Sequence, residues 1–201
     1  MRPSKSILEL LIEVVLIGVG VFLGLLANQW HDDRQHRKLA DATLRYFHDE
    51  IVVNRHAIER VRPYHAALSR EVGSFLQVEG PKTTQRFQSV VHFRGVEPVE
   101  FERTAWDLAL ATQSFSYLPP KLAYAISRVY TRQQAFQTLQ NGFLQAVLAP
   151  TTFGTPDVTG FATSMDMYLH DVNIQEPQLI TLYDQLLPQI EAATAAATAR
   201  Q

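Results

Sequence analysis

The sequence predicts an all-α protein in which one N-terminal transmembrane helix continues into a helical-bundle extramembrane domain. Two observations predict this class. Residues 7–27 form an apolar run that contains only two charged side chains, Glu9 and Glu13. Residues 44–75 and 122–147 then carry apolar side chains at helical spacing, as helices that pack on one another do.

These observations divide the chain into three parts. Residues 1–30 are predicted to be a transmembrane anchor, residues 31–190 a helical extramembrane domain, and residues 191–201 a flexible tail. The tail is rich in Ala and Thr and has nothing to bury, so we expect it to fray.

The apolar run has the length of a membrane span. Its 21 residues would extend ~31 Å as a helix, about the hydrocarbon thickness of a bilayer. Trp30 follows at the depth where interfacial tryptophans lie. The rival interpretation is a cleaved signal peptide, but its apolar region is normally about 7–15 residues, and Leu25 occupies the −3 position relative to Ala27. We therefore predict an uncleaved anchor, with the domain almost wholly on one side of the bilayer.

One face of this helix carries the candidate site. At about 100° per residue, five side chains fall within a stripe of about 60°: Glu9, Glu13, Gly20, Gly24 and Ala27. Gly20 and Gly24 have the spacing that lets two membrane helices approach closely. We interpret the stripe as a helix-packing interface with another transmembrane helix, of a second copy or of a larger complex. The alternative is that Glu9 lies at the headgroups and the glycines only reflect their frequency in membrane helices.

The first soluble helix is predicted from a heptad seam. Its positions are Leu44, Phe47, Ile51, Asn54, Ile58, Val61, His65, Leu68, Val72 and Phe75. This alternating spacing favours a bundle within the chain over a coiled coil between chains, which remains the alternative. Pro63 is expected to end or kink the helix near Arg62, with a second helix from about Tyr64.

The rest of the domain is predicted as shorter helices joined by loops. The predicted helices are 104–113, with Thr104 as the N-cap, 120–148, opened by Pro119-Pro120, 164–170 and 177–190, and a loop is predicted at 150–160. Residues 85–101 allow either a short hairpin or an irregular cover over the core.

The N-terminal run also carries a resemblance. Glu13, Gly20 seven residues later, and the exit Asn28-Gln29-Trp30 resemble the opening of a family of small uncharacterised bacterial single-span membrane proteins. The helix that begins Thr104-Ala-Trp is similar to a second, weaker family motif. The resemblance implies a bacterial inner-membrane protein with a cytoplasmic N-terminus and a periplasmic domain. It implies no activity.

No motif in the chain predicts catalysis. The chain contains no cysteine, which removes thiolate nucleophiles and thiolate metal sites, and it shows no nucleotide-binding or hydrolase fingerprint. His31, Asp32, Asp33 and His36 cluster beyond the span but do not suggest a converging ligand set. We predict no catalytic, cofactor or metal site. His65, on the apolar seam, is interpreted as a hydrogen-bonded core histidine.

Charge and composition narrow the partners. Lys and Arg number 18 against 20 Asp and Glu, with basic residues scattered, so nucleic acid is not an expected partner. The preferred function is a non-enzymatic, membrane-anchored interaction or accessory subunit. The alternatives are a ligand-binding or sensory ectodomain that acts through a partner, and an unrecognised enzyme. For the ectodomain, four aromatic side chains are candidates for a pocket lining, although such residues usually belong to a core: Trp106, Tyr117, Tyr124 and Tyr130.

Overall fold

The computed structural model describes the backbone of residues 7–147 and 157–199, and all of their side chains except those at 7–10, 12, 14 and 198. Within these residues the protein is all-α, as predicted, and contains no strand. Its elements are α1 (Ile7–Gln77), α2 (Thr84–Val90), α3 (Thr104–Ala111), a 3-10 helix (Ser114–Tyr117), α4 (Pro120–Val147) and α5 (Val158–Thr198).

The core is built from three seams of alternating three- and four-residue spacing. Every position of the seam predicted in α1, from Leu44 to Phe75, is buried. The seam of α4 is also confirmed, with Gln133 and Gln140 occupying the two positions between its apolar residues. The seam of α5 comprises Ala162, Met165, Leu169, Val172, Glu176, Leu179, Tyr183, Leu186 and Ile190. Because α5 packs against both α1 and α4, the bundle forms within the chain.

Cross-helix contacts give the direction of each element. Three pairs join α1 to α5: His48–Glu191, Arg55–Asp184 and His65–Glu176. Because residue numbers rise along α1 in the direction in which they fall along α5, the two helices are antiparallel. Gln133–Tyr183 and Phe143–Tyr168 show the same for α4 and α5. The helices α1 and α4 are therefore parallel.

A non-helical segment completes the bundle. Residues 91–103, which we call the strap, have no regular secondary structure and run back along α1, followed by α3 and the 3-10 helix. The strap passes Tyr64 near Gly95 and α3 begins beside Glu50. Of the two predictions for 85–101, the hairpin is wrong, and the irregular cover is confirmed only for 91–101, because residues 85–90 belong to α2. The short helix α2, capped by the Thr83 side chain, was not predicted.

The predictions that a helix ends near Arg62 and that another begins at Pro177 are wrong. Helix α1 continues through Pro63, and α5 is one helix through Pro177 and Pro188 rather than two short ones. A proline removes the hydrogen bond to the carbonyl four residues earlier. Pro63 and Pro188 lie on exposed faces, so those carbonyls can bond water while the seams on the opposite face stay buried.

Several predicted boundaries shift. Helix α4 begins at Pro120 as predicted, whereas Thr104 is the first residue of α3 and Arg103 precedes it as the N-cap. Most of the predicted 150–160 loop lies outside the described residues, and α5 already begins at Val158, where the Asp157 side chain accepts a hydrogen bond from the Gly160 amide. The tail expected to fray is helical through Thr198, because Ala193 packs on the core.

Candidate functional site

The N-terminal part of α1 extends beyond the bundle. Every described side chain from Leu11 to His31 is exposed, and the first buried side chain of the helix is Ala40. Twenty-one residues of helix extend about 30 Å. Among the side chains that the structure describes, which leave out 7–10, 12 and 14, no helix includes a stretch long and apolar enough to cross a membrane.

The predicted helix-packing face lies on this extension. Glu13, Gly20, Gly24 and Ala27 are exposed, and the side chain of Glu9 lies outside the described residues. A Cβ added at Gly20 or Gly24 would meet no atom within 4 Å, so packing within the chain does not require glycine at either position.

The unbroken helix also gives this face a direction. Gly20 and Phe47 are separated by a half-integral number of turns at about 100° per residue, so they lie on opposite sides of α1. Phe47 belongs to the buried seam. The stripe therefore points away from the bundle of its own chain.

The junction between extension and bundle holds local polar contacts. Trp30 is 61% exposed, and the Arg34 guanidinium lies 5.4 Å from its ring centre. His36 stacks on Tyr117 of the 3-10 helix at 4.0 Å. In the described part of the chain, no group of three or more potential ligands is arranged to hold a metal ion.

Buried side chains of α1 and α4 hold the backbone of the strap. The Asn54 amide group donates to the Glu102 carbonyl at 2.8 Å and accepts from the Glu102 amide at 2.7 Å. The Gln140 side chain makes the same pair of bonds with Val99, at 3.0 and 2.6 Å. These side chains replace the hydrogen bonds that a helix or sheet would have provided to a covered segment.

A buried ion pair joins α1 to α5 beneath the strap. His65 Nδ1 lies 2.6 Å from Glu176 Oε1, and His65 Nε2 lies 3.0 Å from the Val96 carbonyl oxygen. Burial lowers the pKa of His65, but the hydrogen bond and charge of Glu176, with the Val96 carbonyl, outweigh it and raise the pKa above its usual value. The other oxygen of Glu176 and the hydroxyl of Tyr168 have no hydrogen-bond partner within the described chain. His65 is the core histidine that its seam position predicted.

A second buried carboxylate lies nearer the extension. Glu50 accepts from the Ala105 amide at 2.7 Å and from the Tyr130 hydroxyl at 2.5 Å. It therefore stabilises the N-terminus of α3, where a negative charge is favoured. Burial, with the charge and hydrogen bond of Glu50, raises the pKa of Tyr130, so this hydroxyl remains a donor.

A pocket opens beside these residues. It has a volume of about 240 Å³ and lies between the end of the strap, α3 and the middle of α4; we call it the α3–α4 pocket. Its lining residues are Phe101, Glu102, Arg103, Trp106, Tyr130, Thr131, Gln133, Gln134 and Gln137. Of the four aromatic candidates from the sequence, Trp106 and Tyr130 line it. Tyr117 and Tyr124 do not.

Three of the buried polar residues that hold the strap, α3 and the pocket wall were missed from the sequence: Glu50, Gln133 and Gln140. The Gln133 and Gln140 positions were recognisable, because both fill the gaps of the apolar seam between Val129, Phe136 and Phe143. Glu50 lies four residues before Asn54, one helical turn away, which was the available signal for a polar row along α1.

Comparison with known proteins does not add a relative: no family model, no curated protein and no solved structure matches the chain. The family resemblance of the N-terminal run therefore stays a prediction.

Proposed function

We propose that this protein is a non-enzymatic, membrane-anchored interaction subunit. In this proposal residues 7–27 span a bilayer and contact another transmembrane helix, and the bundle is the extramembrane module. The observation that carries it is the exposure of the α1 extension. Ten large apolar side chains between residues 11 and 27 are 46% to 65% exposed: Leu11, Val15, Leu16, Ile17, Val19, Val21, Phe22, Leu23, Leu25 and Leu26.

These side chains cover every side of the helix except the stripe of Gly20, Gly24 and Ala27, where Glu13 is the one charged residue between positions 11 and 27. An amphipathic surface helix has a polar face, whereas a helix that is apolar on all sides is stable only when it is buried. Burying one Val, Leu or Phe side chain contributes roughly 1.5–3 kcal/mol, so leaving ten in water would be strongly unfavourable. A bilayer supplies the apolar surroundings, and a helix satisfies its own backbone there. The proposed span also includes the side chains at 7–10, 12 and 14, which are not described.

The helix-packing face supports a partner within the membrane. Lipid does not favour glycine, whereas a second helix uses the close approach that Gly20 and Gly24 allow. Glu13 lies about 9 Å inside the Ile7 end, where an ionisable side chain is costly and usually faces a protein partner. Because the stripe points away from the bundle, a second helix reaches it without steric conflict.

We propose the orientation from the family resemblance: N-terminus in the cytoplasm and the bundle in the periplasm of a bacterial inner membrane. Full-length protein should resist extraction by alkaline carbonate, and a reporter fused after Gln201 should be active only in the periplasm. Release by carbonate contradicts the anchor. A reporter that is active only in the cytoplasm contradicts the orientation alone.

The partner face has a matched control in the same helix. Replacing Gly20 and Gly24 together with Ile should reduce the mass of the assembly isolated in mild detergent, because the added side chains block close approach. Gly18 lies on the opposite face and also has open space around it, so Gly18→Ile should leave the assembly unchanged. An unchanged assembly in the double variant would contradict this interface.

A further inference from the structure

We propose that the α3–α4 pocket binds a small aromatic molecule that carries hydrogen-bond donors and no negative charge. This site is separate from the helix-packing face. It does not depend on the membrane anchor, because all of its residues belong to the bundle.

The size and the walls of the pocket indicate a single ring. Sites for drug-sized ligands occupy about 300–1,000 Å³, and this pocket occupies about 240 Å³. Phe101, Trp106 and Tyr130 supply aromatic surface. Tyr130 lies 4.9 Å from Trp106, centre to centre, with an interplanar angle of 27°. One ring with a short substituent fits these dimensions.

The walls are held in place by buried contacts. Glu50 fixes Tyr130 through its hydroxyl and fixes the start of α3, which carries Trp106, through the Ala105 amide. Asn54 fixes the backbone of Glu102 at the end of the strap. The pocket is therefore preformed, which reduces the entropy cost of binding.

The inner polar group is an acceptor. Gln133 is 3% exposed, and its Nε2 donates to the Tyr183 hydroxyl at 2.9 Å. No donor among the described residues reaches its carbonyl oxygen, although the residue lines the pocket. The Tyr130 hydroxyl is already committed to Glu50. A ligand that donates a hydrogen bond to Gln133 would satisfy this oxygen.

The charges at the rim select the sign of the ligand. The Arg103 guanidinium contacts Asp107 at 2.9 Å and Gln134 Oε1 at 3.0 Å, so an acid and an amide already occupy it. The Glu102 carboxylate forms no ion pair within the described chain. Among the residues that line the pocket, Glu102 is therefore the one charged side chain without an ionic partner in the described chain. It favours cationic donors and disfavours carboxylates and phosphates.

Three probes of equal size, each with nine non-hydrogen atoms, differ in charge and so test which charge the pocket prefers: benzamidine, benzamide and benzoate. The chain has two tryptophans, so full-length Trp30→Phe protein in mild detergent reports on Trp106 alone. Benzamidine should change the fluorescence saturably with a dissociation constant in the low-millimolar range, about what nine atoms support. Benzamide should bind more weakly and benzoate most weakly. Binding of benzoate as tight as that of benzamidine, or no saturable change with benzamidine, overturns the proposal.

Two variants and one matched control test whether the probes bind in the α3–α4 pocket. Glu102→Gln should weaken benzamidine about two- to fivefold, as loss of an exposed ion pair does, and leave benzamide unchanged. Gln137→Phe should abolish binding of both by filling the pocket, whereas Gln145→Phe, at an exposed position of α4 outside it, should not. Undiminished binding by a folded Gln137→Phe protein would place the ligand elsewhere and overturn the assignment.

Discussion

Helix α1 consists of two parts that differ in almost every respect except their backbone. From Leu11 to His31 its described side chains are exposed, mostly apolar, and distributed over the whole circumference. From Ala40 to Phe75 the buried apolar side chains form one stripe, and α5, the 3-10 helix and α3 pack against this part of the helix. The same continuous helix therefore presents two different surfaces to two different environments.

The polar residues sharpen this contrast. In the bundled part, Glu50, Asn54 and His65 lie on or beside the seam, and each contacts an element far away in the chain. In the extension, the contacts of Asn28 and His31 are with side chains one turn along the same helix. Tertiary structure thus depends on the bundled part. The extension has apolar surface that the described part of the chain leaves exposed.

The largest expected difference between the two parts concerns matched phenylalanines. Phe47 is fully buried and Phe22 is 60% exposed. Phe47→Ala should lower the free energy of unfolding by about 3–5 kcal/mol, through lost burial and the cavity that remains. Phe22→Ala should change it by less than about 0.5 kcal/mol. Denaturant unfolding of full-length protein in detergent measures both, and equal effects would mean that the extension packs on the bundle.

A matched pair of asparagines tests the strap at smaller magnitude. Asn54→Ala leaves the covered amide and carbonyl of Glu102 without partners, so it should cost about 1–3 kcal/mol. Asn28→Ala removes only an exposed bond to Asp32, and the expected change is under about 0.5 kcal/mol. Amide hydrogen exchange in the strap should also accelerate in Asn54→Ala. Unchanged exchange would show that Asn54 does not hold this segment.

The parts of the fold that were predictable are those governed by local periodicity. The seam from Leu44 to Phe75 and the start of α4 at Pro120 followed from spacing and from the tolerance of proline in a first turn. The continuity of α1 through Pro63 did not, because packing of the seam on both sides outweighs the lost hydrogen bond. That packing depends on α5, more than a hundred residues away.

The site was predictable to a lesser degree. The residues of the α1 extension could be assigned to one face because their positions around the helix depend only on a rotation of about 100° per residue. The α3–α4 pocket could not, because it arises where a strap without regular structure meets two helices. The strap in turn depends on Asn54 and Gln140, whose partners are backbone groups with no sequence signature.

The smallest expected effect is a pH dependence that originates in the bundled part. In the unfolded chain the pKa of a histidine is about 6.5. In the folded protein, Glu176 and the Val96 carbonyl raise the pKa of His65 above this value. The folded state therefore binds this proton more tightly. The resulting stability is fully present below about pH 6.5 and is lost as pH rises through the folded-state pKa.

Neighbouring groups do not obscure this window. Tyr168 faces the pair from α5 and Tyr64 lies beside it on α1, and burial raises the pKa of both hydroxyls. The unfolding midpoint in denaturant should therefore fall as the pH rises above about 6.5 and passes through the folded-state pKa of His65. Replacing His65 and Glu176 together with Gln should flatten this slope, because both partners of the pair lose their charge. The single change His65→Gln is unsuitable, since it leaves the buried carboxylate of Glu176 without its charged partner. His31→Gln, in the extension, should keep the wild-type slope; a slope that survives in the double variant would assign the pH dependence to groups outside the pair.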